Sequence, residues 1–191
     1  MKKWLAIFLA VLLALGLTVA LAEGDDDVGE TSEWISGWNW YHPEGHEEIM
    51  RLTNYMGGPT TDFVIPATAK LFGADVAVEI ELNGNDFGEN VTSIVIDGAK
   101  LIISDEADAG IFSYKKLKKL QLKNVTCEGL TSMEWFLGEC EELTDLDISC
   151  LDTSNVTTMK GMFVNCFKLS SIETSWMKTS NVTDMTGMFI N

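Results

Sequence analysis

The phrase "TSNVTTMKGMF" at 153–163 returns as "TSNVTDMTGMF" at 179–189, with two letters changed. A fixed period of this length marks a chain of stacked units, each too small to bury its own apolar face. Stepping outward by 26 extends the match. Val91, Leu117, Leu143 and Leu169 form one column, and Ile94, Leu120, Leu146 and Ile172 a second. Ile96, Leu122, Ile148 and Thr174 form a third. The phrases "VTSIVI", "LKKLQL", "LTDLDI" and "LSSIET" alternate apolar and polar toward their ends, the pattern of a half-buried strand.

More columns follow each strand. Val125 aligns with Leu151 and Met177, and Leu130 with Val156 and Val182. Met133, Met159 and Met185 align next, then Phe136, Met162 and Met188, then Leu137, Phe163 and Phe189. Within a unit these last three positions fall at i, i+3 and i+4, which predicts one face of a helical turn. Thr157 and Thr183 stand where N-caps would, while Gly161 and Gly187 make the segment a poor helix in isolation. The expected fold is an α/β solenoid with a strand, a bend and a short helical turn in each 26-residue coil. The methionine stripe reads as core, not as a ligand face. Toward the N-terminus the columns thin to Ala99, Ala107 and Ile111. Phe63 and Ile65 in "TTDFVIPAT" predict an earlier strand ended by Pro66. The step from Ile65 to Ile96 exceeds the repeat period, so this coil carries an insertion within "KLFGADVAVEIELNGNDFGEN". The "VAVEIEL" inside it alternates as a strand.

The chain opens "MKKWLAIFLAVLLALGLTVALAEGDDD". Two lysines, an apolar run and Ala20-Leu21-Ala22 predict a signal peptide over 1–22, cut between Ala22 and Glu23, in preference to a membrane anchor. The expected product is exported and not inserted in a membrane. Residues 23–33 read as an acidic linker, 34–58 as a capping hairpin and 59–191 as the repeat region. The whole chain carries 13 basic and 29 acidic residues, a net charge of −16; without Lys2 and Lys3 the count is 11 against 29, or −18. Such a field repels nucleic acid and anionic membranes. Asp25, Asp26 and Asp27 lack the spacing of an EF-hand loop, and no metal or cofactor is expected.

With the repeat written out, the chain resembles the BspA-type leucine-rich-repeat surface proteins of bacteria. The residues that carry the resemblance are "LTDLDISCLDTSNVTTMKGMFVNCFKL" at 143–169 and its partial copy at 170–191. "NYMGGPTTDFVIPAT" at 54–68 is similar to the opening repeat of such proteins. The likeness departs from the pattern at 104–110, where the T-S-N-V phrase is missing, and at "CEGLTSMEWFL". It implies a leucine-rich-repeat solenoid exported to the cell surface, with a role in adhesion or recognition of host or neighbouring-cell components and no reaction. The expected partner is a protein or glycan at a cell surface. The rival reading is a targeting or spacer module of a larger secreted enzyme.

Candidate ligand-facing residues come from two places. Trp38, Trp40 and Tyr41, beside Trp34, are the densest aromatics and could cap the N-terminal end, stack against a ligand, or both. The strand positions Val95, Gln121, Asp147 and Glu173, with Ser93, Lys119, Asp145 and Ser171, change identity at every step. Cys140 and Cys166 share a column and should stack as small buried side chains; Cys127 and Cys150 do not. His42 and His46 flank "PEG" and read as a turn rather than a metal pair. The "NVT" triplets at 90–92, 124–126, 155–157 and 181–183 match the glycosylation sequon, and the last two belong to the repeat phrase. Stacking at 26 also predicts Lys115 and Lys116 over Glu141 and Glu142, and Lys119 over Asp145. At the far end "SSIET" should be the last rung, left uncovered, so that the chain either continues beyond Asn191 or associates end to end with another copy.

Overall fold

The computed structural model describes residues 31–58, 60–84, 86–103 and 110–191. The signal segment, its cleavage point at Ala22 and Glu23, most of the acidic linker and Ala107 lie outside the described residues. The part of the linker that is described is tied down. Ser32 donates its N–H to the Lys70 carbonyl and accepts the Lys70 N–H on its hydroxyl, both at 2.9 Å.

The regular structure of the described residues is almost all strand. Among the described residues ten strands run in order: β1 Trp38–Tyr41, β2 Ile49–Tyr55, β3 Asp62–Pro66, β4 Thr68–Leu71, β5 Ala74–Leu82, β6 Ser93–Asp97, β7 Lys100–Ile103, β8 Lys119–Lys123, β9 Thr126–Glu128 and β10 Asp145–Asp147. One open sheet has the order β1-β2-β5-β7-β9, with β4 against β5; the other has the order β10-β8-β6-β3. β1 and β2 pair antiparallel across the turn expected at Pro43-Glu44-Gly45, at the edge of the first sheet. β5 is the strand expected within the insertion. Every pairing in the four-stranded sheet is parallel.

The register follows the repeat columns. Ile94 pairs with Leu120 and Ile96 with Leu122, while Leu120 pairs with Leu146. Ile65 pairs with Ile96 across the longer step. At Gly98 the chain turns from β6 to β7, with a φ of 80°. A Cβ there would stand 2.7 Å from that of Ala67, so the corner admits no side chain.

The core lies between the two sheets and the connecting turns. Ile94, Leu120, Met133, Met159 and Met162 are wholly buried, and the other methionine-column positions join them except Met185 and Phe189 in the last coil. Each buried Leu, Ile or Met side chain contributes ~1.5–3 kcal/mol of transfer free energy. Cys140 and Cys166 are buried, as their shared column predicts, and the four cysteines are free thiols.

The expected helical turns are absent. Among the described residues the one helical element is a three-residue 3-10 turn, Glu33–Ile35. The methionine segments are stacked turns in which alternate N–H groups leave the coil. Met133, Trp135, Leu137 and Glu139 donate to the carbonyls of Thr158, Lys160, Met162 and Val164. Met159, Gly161, Phe163 and Asn165 donate in turn to Asp184, Thr186, Met188 and Ile190. Of the intervening N–H groups, those of Phe136, Gly138, Met162 and Val164 close i→i−3 turns, and those of Glu134 and Lys160 bond the Ser132 and Thr158 hydroxyls. A helix would need both sets internally. The conformation that separates them is left-handed: Trp135, Gly161 and Gly187, one column, have φ of 54°, 60° and 67°. Apolar spacing at i, i+3 and i+4 is satisfied by this turn as well as by a helix, so α/β is corrected to a largely β chain.

Two finer expectations also change. Thr157 and Thr183 do not cap helices; their hydroxyls donate to the carbonyl one coil back, at Thr131 and Thr157. Residues 171–175 form no strand, so the four-stranded sheet stops at β10.

Candidate functional site

The outward residues of the four-stranded sheet form a continuous row across its strands. Val64, Val95, Gln121 and Asp147 stand in register, beside a second row of Asp62, Ser93, Lys119 and Asp145. Strand alternation places them there because their neighbours Phe63, Ile65, Ile94, Ile96, Leu120 and Leu122 are buried. Gln121 donates to both Asp145 oxygens, at 3.0 and 3.1 Å, and Lys119 stands 3.6 Å from the same carboxylate. Asp147 accepts from the Ser149 N–H and hydroxyl at 3.2 and 2.8 Å. These side chains form a preordered polar surface with acceptors turned outward.

The structure brings Gln121, Asp145 and Asp147 together and separates the other candidates from them. Glu173 lies in a turn, where its carboxylate accepts the Ser175 N–H at 2.9 Å and is held below the usual carboxylate range by that bond. Trp38 is largely buried, with its ring edge-on to Tyr55, Phe63 and Phe87 at 5.4–5.8 Å. Its aromatic character marked it for a surface, but its place in β1 turns it inward. Trp40 is half-buried beside His42, with ring centroids 5.5 Å apart. Tyr41 is exposed and donates its hydroxyl to Glu81 at 3.0 Å.

A charged row on the six-stranded sheet was not singled out from the sequence. The chain's single arginine, Arg51, donates twice to Glu79, at 2.9 and 2.7 Å, and once to the Tyr41 hydroxyl at 3.2 Å. Lys100 reaches Glu79 at 3.7 Å and pairs with Glu128, whose bond holds the Glu128 carboxyl down and the Lys100 ammonium up. Glu79 is largely buried. Its burial is compensated by two cations, so the row is a satisfied network. Finding it required the pairing of β2 with β5, which breaks the repeat period.

The histidines do not converge. His42 Nδ1 meets the Ile49 carbonyl at 2.6 Å, and His46 Nδ1 meets Glu48 at 2.9 Å. Among the described residues no group of three or more His, Cys, Asp or Glu side chains could hold a metal. Burial pushes the thiols of Cys127 and Cys140 up to about 12 and that of Cys166 up to about 11, which keeps them protonated and unreactive. Asp86 is buried in the loop after β5, where its Oδ2 accepts from the Asn83 and Gly84 N–H groups. Burial pushes this carboxyl up, and its Oδ1 has no partner among the described residues.

Ion pairs link successive coils at the predicted interval: Lys115 to Glu141, Lys119 to Asp145, Lys160 to Glu134, Lys168 to Glu142 and Lys178 to Asp152. One pairing is corrected. Lys116 reaches back to Asn90 at 2.6 Å, and Glu142 takes Lys168 from the next coil. Both shifts keep the 26-residue step and reverse its direction.

The second half of the chain resembles a known family. Residues 109–191 match the family described as "Mycoplasma protein of unknown function, DUF285". Among solved structures, a leucine-rich cell surface protein from Faecalibacterium prausnitzii is similar at 14% identity, with a TM-score of 0.29 over 88% of this chain and 56% of that one. The chain therefore spans little more than half the length of that protein. No curated protein matches the chain. Among the described residues no helix is long and apolar enough to cross a membrane.

Proposed function

We propose that this chain is a BspA-type leucine-rich-repeat solenoid displayed outside a bacterial cell, where it binds protein or glycan components and catalyses no reaction. The observation that carries the reading is the contrast between the two sides of the four-stranded sheet. Inward positions stay apolar at every step, whereas the outward row runs Val64, Val95, Gln121, Asp147. A constant frame that carries varied, fixed polar groups suits a recognition surface on a repeat scaffold. The binding patch is centred on Gln121, Asp145 and Asp147, and its acidic character suits a ligand with cationic or hydroxyl donors. The test is an array of glycans and matrix proteins probed with the full chain and with a Gln121→Ala, Asp145→Ala, Asp147→Ala triple variant. A ligand bound by the first and lost from the second is expected. An array that stays blank, or a ligand held equally by both, would overturn the reading.

A further inference from the structure

A second surface lies where those rows end at the opposite edge of the same sheet from Asp145 and Asp147. β3 is its terminal strand, and among the described residues nothing pairs with its outer side. The Thr61 carbonyl accepts the Ser93 N–H at 3.0 Å and so faces β6. In a parallel ladder alternate residues send their backbone groups to opposite sides. Phe63 and Ile65 therefore bond β6, and Asp62 and Val64 present their N–H and C=O groups outward. Pro66 closes the run, since it has no N–H to offer.

This free edge borders a groove of about 260 Å³. Its floor is aromatic, formed by Trp34, Trp38 and Tyr55, and its rim carries Glu33, Asp62 and Val64. The floor is rigidly built. Tyr55 fills the space a Cβ would need at Gly37 and at Gly57, to within 2.6 and 2.4 Å, and its hydroxyl bonds Thr60 at 2.6 Å. The rim is electrostatically incomplete. Asp62 is bonded by the hydroxyls of Thr61 and Thr92, and among the described residues neither Asp62 nor Glu33 meets a lysine or arginine. Elsewhere in this acidic chain five lysines meet carboxylates one coil away.

We propose that the free edge of β3 is a docking site for an extended peptide of a partner protein, which adds to the sheet as a further strand. Main-chain bonds to Asp62 and Val64 supply the frame, and alternate side chains supply the choice. The side chain that faces inward meets Trp34, Trp38 and Tyr55 and is apolar. Its neighbours lie outward beside Asp62 and Glu33 and are basic. The acidic rim disfavours this chain's own residues 23–30, "EGDDDVGE", which would bring like charge to it.

The test uses a labelled, amidated peptide of alternating lysine and valine, with fluorescence anisotropy on the full chain. Binding is expected, with the glutamate–valine counterpart about tenfold weaker or worse. N-methylation of alternate peptide amides should abolish binding, because it removes the ladder donors and blocks the strand edge while leaving the side chains unchanged. Asp62→Lys should weaken binding about tenfold, and Val64→Pro should abolish it, with thermal unfolding unchanged in both. If Val64→Pro disturbs the edge, amide exchange decides: the Val64 N–H should slow about tenfold on peptide addition. No binding, equal binding of the acidic or methylated peptide, or an unmoved Asp62→Lys variant would overturn the proposal. A dimer of the chain dispersed by Val64→Pro would also overturn it, by making a second copy the occupant.

Discussion

Gly161→Ala separates a left-handed stacked turn from a helical one by the sign of its effect. In a helix interior alanine would stabilise by ~0.5–1 kcal/mol over glycine. At Gly161 φ is 60°, and an L-residue in that region costs ~1–2 kcal/mol. The new Cβ would stand 3.2 Å from Cε2 of Trp135 and 3.3 Å from its Nε1, so the ring must yield slightly. Stiffening of the unfolded chain returns ~0.4–1 kcal/mol. The net expectation is a loss of ~1 kcal/mol. Gly45→Ala serves as the control, because its φ is 77° with nothing within 4 Å of a Cβ, which isolates the backbone part. Gly161→Asn should recover some of the loss, since asparagine tolerates this region and Asn165 already occupies it at 56°. Urea unfolding with the m-value held constant measures each difference. A Gly161→Ala variant more stable than the parent would refute the stacked turn and restore the helix.

Thr153 is wholly buried and accepts the Lys178 N–H at 2.7 Å. Thr153→Val keeps the shape and strands that donor, for a loss of ~1–3 kcal/mol by urea unfolding, and Thr153→Ser should retain most of the stability. Asp152 is held down at about 2, first by its bond to Lys178 and then by the Ser154 N–H. Because the folded value lies below the unfolded one, its contribution is present above pH ~4 and fades as pH falls toward 2. Lys178→Met should therefore lower the urea midpoint at pH 7 and converge on the parent near pH 2. With a thiol reagent on the native chain, Cys150 should react first, being exposed, while Cys140 and Cys166 should wait for unfolding.

The repeat made much of the architecture legible before any coordinates. Ile94, Leu120 and Leu146 pair as their columns require because identical spacing buries the same face at every step. The insertion was also legible, since Ile65 and its partner Ile96 stand further apart in the chain than the repeat period allows. The turns were not. Their apolar spacing fits two backbones, and what decides between them is the set of carbonyls in the next coil, which a single unit's sequence does not contain. The burial of Trp38 was hidden for a related reason: an aromatic cluster names the residues but not which of them alternation turns inward. The Arg51–Glu79–Lys100 row was invisible because its strands come from outside the regular period.

Stacked turns without helices have a kinetic corollary. A helical turn can form within its own coil, but here the lasting bonds of Met133, Trp135 and Leu137 reach a full coil along the chain, to Thr158, Lys160 and Met162. Closing a loop of that length costs ~3 kcal/mol before any of those bonds exists. The first pair of coils is therefore the folding barrier, and each later coil adds to a finished template. Growth on a template is only as accurate as the incoming sequence is distinctive. The phrases at 153–163 and 179–189 differ at two positions, so either can seat on the coil that ends at Cys140. A chain that seats the second phrase first loops out one whole coil while satisfying nearly every column. Refolding should therefore show a slow phase from escape out of this skipped register, and that phase should vanish when residues 170–191 are deleted.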